Sequence, residues 1–371
     1  MRKRLTALDA FRGITIAAMI IVNNPGSWRY VYPLLRHAGW HGWTPTDLIF
    51  PFFLFIVGVS LSFSLSRRID EKGVGPSLYL KIMRRSVLLF LLGLLLNFIP
   101  NFDLSNLRVP GVLQRIAICY FLAAWLYLKS SRKFQLGIAV FILIGYWALL
   151  KFVPVPGYGP NALGPETNLC GYLDTKLLAG HLYTPNFDPE GLLSTFPALV
   201  TTLLGVFTGD WLRSSSFSPV KKKGLTPLYM ALAGLVLVGI GLALNPIFPI
   251  NKNLWTSTFV IFTGGMALIV LSLAFFVIEI AGLKKWAYPF LVFGTNPITV
   301  YVGSSLLAKL LGRIHVFSGE QIISVKGFIF QKMLSPWAGN YLGSLLFPVL
   351  LLIFWFGVLL PLYRKNIFIR V

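Results

Sequence analysis

Negative charge is scarce in this chain: only 12 of its 371 residues are Asp or Glu, against 33 Lys and Arg. Charged residues make up 12% of the whole and hydrophobic ones 56%, which leaves too little charge to coat a soluble globule of this length. The formal net charge of +21 does not point to nucleic acid, because most basic residues sit in short loops between apolar runs. Cysteine is scarcer still. Cys119 lies in an apolar run and Cys170 in a loop, and no Cys-x-x-Cys spacing occurs, so neither a disulfide framework nor a sulfur-based metal site is supported. No period of 20 to 50 residues and no low-complexity tract interrupts the sequence, and residues 1–371 read as a single membrane domain.

What the chain has instead is long apolar runs, with a mean hydropathy of +0.74. A bilayer core of ~30 Å asks for ~20 mostly apolar residues per helix. Ten segments meet that length, near residues 7–25, 46–66, 78–98, 109–128, 134–153, 192–212, 225–245, 254–281, 287–311 and 341–363. The fold class read from them is all-α: a polytopic integral membrane helix bundle of about ten transmembrane helices. The basic Met1-Arg-Lys-Arg start runs into a segment too long and too polar at its ends for a cleaved signal peptide, so the first helix is expected to remain as a span. Threading from a cytoplasmic N-terminus gathers Arg67, Arg68, Lys72, Lys81, Arg84 and Arg85 on one side with Lys129, Arg132, Lys133, Arg213, Lys221, Lys222 and Lys223. Lys284, Lys285, Arg364, Lys365 and Arg370 finish there too, so both termini are expected to be cytoplasmic.

The same threading sends all four histidines, His37, His41, His181 and His315, to the outer face. Two of them stand in Leu35-Arg-His-Ala-Gly-Trp-His-Gly-Trp-Thr-Pro-Thr-Asp, which runs straight into an apolar helix with Asp47 at its mouth. An imidazole titrates near neutrality, and beside a partly desolvated carboxylate at a membrane surface it has the composition of a general base. His37 and Asp47 are therefore the leading candidates; ten residues apart, they are permitted to touch but not required to. Asp47 also suits the first turn of a helix, where a carboxylate complements the dipole. Trp40 and Trp43 can be interfacial belt residues or platforms for a sugar ring, the belt being favoured for Trp43. His37 and His41 are four apart, but Gly39 and Gly42 argue against a helix between them, and no third metal ligand is evident.

Further candidates come from polar groups in apolar surroundings. Arg115, with Gln114 beside it, is costly in hydrocarbon and must face the bundle interior or a watery cavity. Asp9 and Arg12 are three apart at the entrance of the first helix and are expected to pair. Asn23 ends the first span before Asn24-Pro25-Gly26 and can aim its amide at a bound carbonyl or hydroxyl. Asn296 is expected mid-helix beside Pro297, where a broken backbone ladder frees polar groups for a ligand. Glu279 is expected to snorkel or to pair with Lys284. The outer segment 154–191 is rich in Gly, Pro and Asn and carries Asp174, Asp188 and Glu190; it reads as an ordered loop able to bind a polar ligand, or as a solvated connector. Residues 321–333 are amphipathic enough to lie along the outer interface.

Leu8-Asp-Ala-Phe-Arg-Gly, the asparagine ending the first span, His37-Ala-Gly-Trp-His-Gly with Asp47-Leu-Ile-Phe-Pro-Phe-Phe, Arg108-Val-Pro-Gly-Val-Leu-Gln-Arg, Phe187-Asp-Pro-Glu-Gly, Asn251-Lys-Asn-Leu-Trp-Thr and Gly294-Thr-Asn-Pro-Ile together resemble the heparan-α-glucosaminide N-acetyltransferase family. The resemblance extends over nearly the whole chain. It implies a multi-span acyltransferase that takes acetyl from cytosolic acetyl-CoA, a co-substrate, and passes it to the amine of a glucosamine-type sugar on the far side of the membrane. The family's active-site histidine falls on His37. Asp47 and Asn23 are then expected to assist it, and Arg115, Gln114, Asn296, Arg12, Trp40, Asp188 and Glu190 to serve acetyl-CoA or the acceptor. Lacking a long N-terminal luminal portion, the chain is expected to be a compact bacterial relative in the inner membrane. Expected partners are an amino-sugar or glycan acceptor and membrane lipid, with no nucleic acid and no metal, and a homodimer by analogy alone. Two other readings stay open: an amino-sugar transporter or flippase, and an O-acyltransferase of envelope polysaccharide.

Overall fold

The computed structural model describes residues 5–99, 102–216, 220–318 and 321–369. Arg2, Lys3, Arg4 and Arg370, and the side chains of Lys221, Lys222 and Lys223, lie outside the described residues. The chain divides into two compact units: one holds the residues up to His37, Thr44–Ile49 and those from Ala274 onward, and the other holds Ala38–Trp43 and Phe50–Leu273. The architecture is helical in both, as the apolar runs predict. Among the described residues, seven helices are long and apolar enough to cross a membrane, and eight if one bent pair counts as a single span. This is an integral membrane protein.

The first unit is built on α1 (Thr6–Asn23). Its apolar residues give way to Asn24, Pro25 and Gly26, where the helix stops. It crosses α10 (Tyr288–Thr295) backbone to backbone: a Cβ on Gly13 would lie 1.8 Å from the Phe290 carbonyl oxygen, and one on Gly294 would lie 2.0 Å from that of Asp9. Small residues at the crossing are what allow such an approach between membrane helices. Arg12 and Asp9 pair at 2.8 Å as expected, and Arg12 also donates to the Gly294 carbonyl at 3.2 Å, so the pair fastens this crossing. Glu279 does not snorkel; its carboxylate accepts the Ala7 N–H at 3.1 Å and satisfies one of the orphan donors at the start of α1.

Asn296 is not mid-helix. The chain breaks there between α10 and α11 (Pro297–Arg313), which meet at 74°. Pro297 is the first residue of the new helix and pushes the residue before it out of the helical region, here to φ −126° and ψ 56°. The segment after α11 also departs from expectation, since β1 (His315–Ser318) pairs antiparallel with β2 (Gln321–Ser324), placing His315 opposite Ser324. A short helix α12 (Val325–Phe328) and α13 (Ser335–Arg364) complete the unit, α13 turning at Gly339 with φ +73°.

The second unit contains α2 (Ile49–Lys72) from Phe50 on, α3 (Pro76–Phe98), α4 (Val112–Lys129), α5 (Arg132–Phe152), a short α6 (Leu169–Leu177), α7 (Thr195–Ser216), α8 (Val220–Leu244) and most of α9 (Ser257–Phe275). α2 and α7 approach as closely as α1 and α10: a Cβ on Gly58 would sit 1.9 Å from the Thr202 carbonyl oxygen. One end of these helices is locked by Asp210, whose carboxylate takes Ser62 Oγ at 2.6 Å, Tyr127 OH at 3.1 Å and Arg132 at 2.9 Å. The 154–191 segment is ordered, with α6 capped by Asn168, whose side chain accepts the Gly171 N–H at 2.8 Å.

Candidate active site

In the first unit the turn Thr44-Pro45-Thr46-Asp47 opens the helical segment that continues as α2, with proline at its first position and Asp47 in its first turn. That turn buries Asp47 to 1% exposure while the imidazole of His37 stays about half exposed. His37 Nδ1 lies 2.6 Å from Asp47 Oδ1. A carboxylate can only accept, so Nδ1 carries the proton and the neutral ring keeps its lone pair on Nε2. Asp47 Oδ2 accepts the Thr44 N–H at 3.0 Å, and Thr44 Oγ1 donates to the Arg36 carbonyl at 2.7 Å, so one threonine braces both the carboxylate and the segment that carries the histidine. Asn23 is in the same unit but exposed at the end of α1; it is the following Asn24 that turns its amide inward, onto the Ile20 carbonyl at 2.9 Å. Asn296, also in this unit, spends its amide on the C-terminal segment, donating to the Ile367 carbonyl at 3.1 Å and accepting from the Ile369 N–H at 2.8 Å.

The second unit holds a polar centre around Arg115. Its guanidinium is 1% exposed, 5.1 Å from the centre of the Trp255 ring, and donates through one terminal nitrogen to Gly191 O at 3.1 Å and Ser194 Oγ at 2.5 Å. Nε and the other terminal nitrogen have no partner among the described residues, and neither has the amide nitrogen of buried Gln114. Trp255 holds a left-handed backbone at φ +51°, uncommon for a bulky residue, and Asn251 supports the loop around it by accepting the Leu254 N–H at 2.8 Å. The Asn251 amide also donates to His41 Nδ1 at 3.2 Å, and partial burial lowers the pKa of that histidine. Trp40 donates from its indole to the Leu163 carbonyl at 2.7 Å and meets Phe187 edge-on at 5.3 Å. Trp43 packs on Phe262 at 4.7 Å.

Asp188 and Glu190 are not free carboxylates lining the 154–191 loop. Arg108 holds Asp188 through two nitrogens at 2.9 and 2.7 Å and reaches Glu190 at 2.5 Å. Burial disfavours the charge of Arg108, but the bond to Asp188 and the fields of Glu190 and Asp188 outweigh it and raise its pKa above the ordinary value. The role of Arg108 in holding these carboxylates is what the sequence reading passed over. Its signal was a basic side chain in a loop that the threading from a cytoplasmic N-terminus sends outside, where the positive-inside rule disfavours one. Asp174, fully buried, accepts the Leu192 N–H at 2.9 Å with one oxygen, while the other has no partner among the described residues. Burial pushes its carboxyl up to about 6, against the pull of that N–H. No cluster of three metal-ligating side chains occurs among the described residues.

A paired imidazole and buried carboxylate, with polar side chains buried among apolar helices, suit a membrane-embedded group transfer, and comparison with known proteins points the same way. The family profile described as heparan-alpha-glucosaminide N-acetyltransferase, catalytic, matches residues 4–239. The chain belongs to this family. The similarity to two curated members runs further along it: 31% identity over 357 residues with heparan-alpha-glucosaminide N-acetyltransferase of Mus musculus, covering 82% of this chain and 54% of that protein. The same enzyme of Homo sapiens is 32% identical over 355 residues, covering 81% and 52%. The chain thus spans about half the length of the curated relatives that it matches. The profile takes in His37, Asp47 and Arg115, while Asn251, Trp255 and Asn296 lie beyond it.

Proposed function

We propose that this protein is a transmembrane acetyltransferase that moves an acetyl group from acetyl-CoA on the cytosolic side to the amine of a glucosamine-type sugar on the outer side. The observation that carries the proposal is the 2.6 Å bond between exposed His37 and buried Asp47. It assigns the Nδ1 proton to the carboxylate side, makes Nε2 the basic nitrogen of the neutral ring, and gives any positive charge that develops on the ring a fixed counter-ion. Two routes use this geometry. In direct transfer, Nε2 takes a proton from the amine as its nitrogen attacks the thioester carbon, the C–S bond breaks, and the imidazolium returns the proton to the departing thiolate. In the stepwise route Nε2 attacks first, the thiol leaves, and the acetyl-imidazole is then cleaved by the amine. Both give N-acetyl sugar and CoA. Arg115 keeps two guanidinium nitrogens without a partner among the described residues, donors of a kind that suits an oxygen on which negative charge develops.

The reading places His37 outside and both termini in the cytoplasm of a bacterial inner membrane, counts ten spans by adding the helices that fall short on length or apolarity, and treats the chain as one catalytic domain. Basic side chains at the inner ends of the helices would meet the phosphates of acetyl-CoA. The test is transfer of label from acetyl-CoA to a panel of amino sugars by purified protein in nanodiscs. Labelled N-acetyl sugar supports the reading. Uptake of unmodified sugar into vesicles with no use of thioester would replace it with a transporter, and label on a hydroxyl with an O-acyltransferase.

A further inference from the structure

Between α11 and α12 the chain forms the strand pair β1 and β2 rather than more helix, and the two faces of the pair differ. Side chains alternate along a strand, so Phe317 and its partner Ile322 share one face while Val316 and its partner Ile323 share the other. Val316 and Ile323 are partly buried, whereas Phe317 and Ile322 are 82% and 62% exposed. Leaving such a pair in water forgoes the gain from burying it. The surface that leads to the hairpin is apolar too. Leu310 in the last turn of α11 and Ile314 just after it are exposed, and α11 belongs to the bent pair of helices long and apolar enough to count as one span. Further along, Met333 and Trp337 are exposed, and the indole N–H of Trp337 donates to the Met333 carbonyl at 2.6 Å. In an integral membrane protein, exposed apolar side chains at the end of such a helix face lipid, and the hairpin carries that surface on.

Backbone chemistry fixes the depth. β1 and β2 pair only with each other among the described residues, so each strand keeps one edge of N–H and C=O groups outside the sheet. Open sheet edges do not occur in the hydrocarbon region, because nothing there bonds them. Water suits the edges but not Phe317 and Ile322, and hydrocarbon suits that pair but not the edges. The headgroup layer of a bilayer satisfies both. The hairpin is also fastened to the helix that brings it there, since Val325 N donates to the Ile314 carbonyl at 2.8 Å and closes its base. Charge agrees with this placement: residues 310–334 hold Arg313, Lys326 and Lys332 against one acid, Glu320, a balance that suits the phosphates of a lipid surface.

We propose that this hairpin is an interfacial anchor that docks on a phospholipid surface, with Phe317 and Ile322 entering the boundary between headgroups and acyl chains while the strand edges stay hydrated. The experiment attaches a nitroxide to Phe317→Cys, Ile322→Cys and Gln321→Cys, one at a time, in the full chain in nanodiscs of phosphatidylcholine and phosphatidylglycerol. The native Cys119 and Cys170 are buried and stay unlabelled. Electron paramagnetic resonance then compares collisions with oxygen, which concentrates in lipid, and with a neutral nickel chelate, which stays in water. Gln321 is exposed and follows the other face of β2, so it supplies the reference. The ratio of oxygen to nickel collisions is expected to be about threefold higher at 317 and 322 than at 321, a period of two that a uniformly wet or uniformly immersed loop would not give. Should the label at 317 disturb folding, the contrast between 322 and 321 decides alone. Equal ratios at all three positions overturn the proposal. So does poor access of both reagents to 317 and 322 together with a cross-link between copies of Phe317→Cys, which would make this face a contact between two chains.

Discussion

Removing the guanidinium of Arg108 with Arg108→Met should destabilise the second unit and loosen the 181–191 segment. Asp188 is 0% exposed and receives four hydrogen bonds: two from Arg108, and one each from the Tyr183 and Glu190 N–H groups at 2.9 Å. Taking away one partner of a buried ion pair costs ~3–5 kcal/mol, because the remaining charge is left uncompensated. Here the two backbone donors still solvate the Asp188 carboxylate, so the lower end, about 3 kcal/mol, is expected. Denaturant unfolding of the detergent-solubilised protein reads the loss, and limited proteolysis reads the loosening near Tyr183. The double variant Arg108→Met with Asp188→Asn should recover about half of it, since Asp188 is then neutral and only Glu190 keeps a charge without its arginine. A single variant within about 1 kcal/mol of wild type, with no new cleavage, would show that Arg108 does not hold this segment and refute the reasoning.

Three other expectations concern stability and topology. Asp174 binds its proton up to about pH 6 when folded but only to about pH 4 when unfolded, so the folded state holds more protons between those values and stability falls as pH rises through them, by ~3 kcal/mol. Thermal melts of Asp174→Asn should lose that part of the slope between pH 4 and 6 while matching it above pH 6, and an unchanged slope would assign the effect to other carboxylates. Gly58→Ala should cost ~1–3 kcal/mol, because its methyl group would collide with the Thr202 carbonyl; an unshifted melting temperature would mean that α2 and α7 do not cross so closely. Trp28→Cys, at an exposed position, should react with an impermeant thiol reagent on the outer face of intact cells, the native Cys119 and Cys170 being buried. Labelling only after permeabilisation would reverse the topology.

The helices were legible because apolar runs of bilayer length leave few alternatives, and their ends because Pro, Gly and Asn stop or start them. The break at Asn296 was legible in principle: proline fits the first turn of a helix better than its middle, and the same residue that suggested a broken ladder begins a new helix. The contact between His37 and Asp47 was permitted by the sequence and decided by the Thr44-Pro45 turn, whose capping chemistry fixes where the carboxylate points. The Arg108 cluster was out of reach, since its partners lie 80 and 82 residues away and nothing local announces the pairing. For the same reason the engagement of Asp188 and Glu190 by an arginine could not be read from their own loop. Burial of Asp174 was likewise invisible in a loop of polar composition. The strand pair at 315–324 went unseen because its alternation is too short to stand out beside membrane spans.

The central claim is that His37, held by Asp47, carries out acetyl transfer. The measurement that tests it most directly is turnover of labelled acetyl-CoA with glucosamine by wild type, His37→Ala and Asp47→Asn, each first shown to bind acetyl-CoA. The account predicts a loss of at least about 10²–10⁴-fold for His37→Ala and a smaller but clear loss for Asp47→Asn, which keeps the contact but removes the counter-charge. Turnover by His37→Ala close to wild type, in a protein that still binds acetyl-CoA, would contradict it.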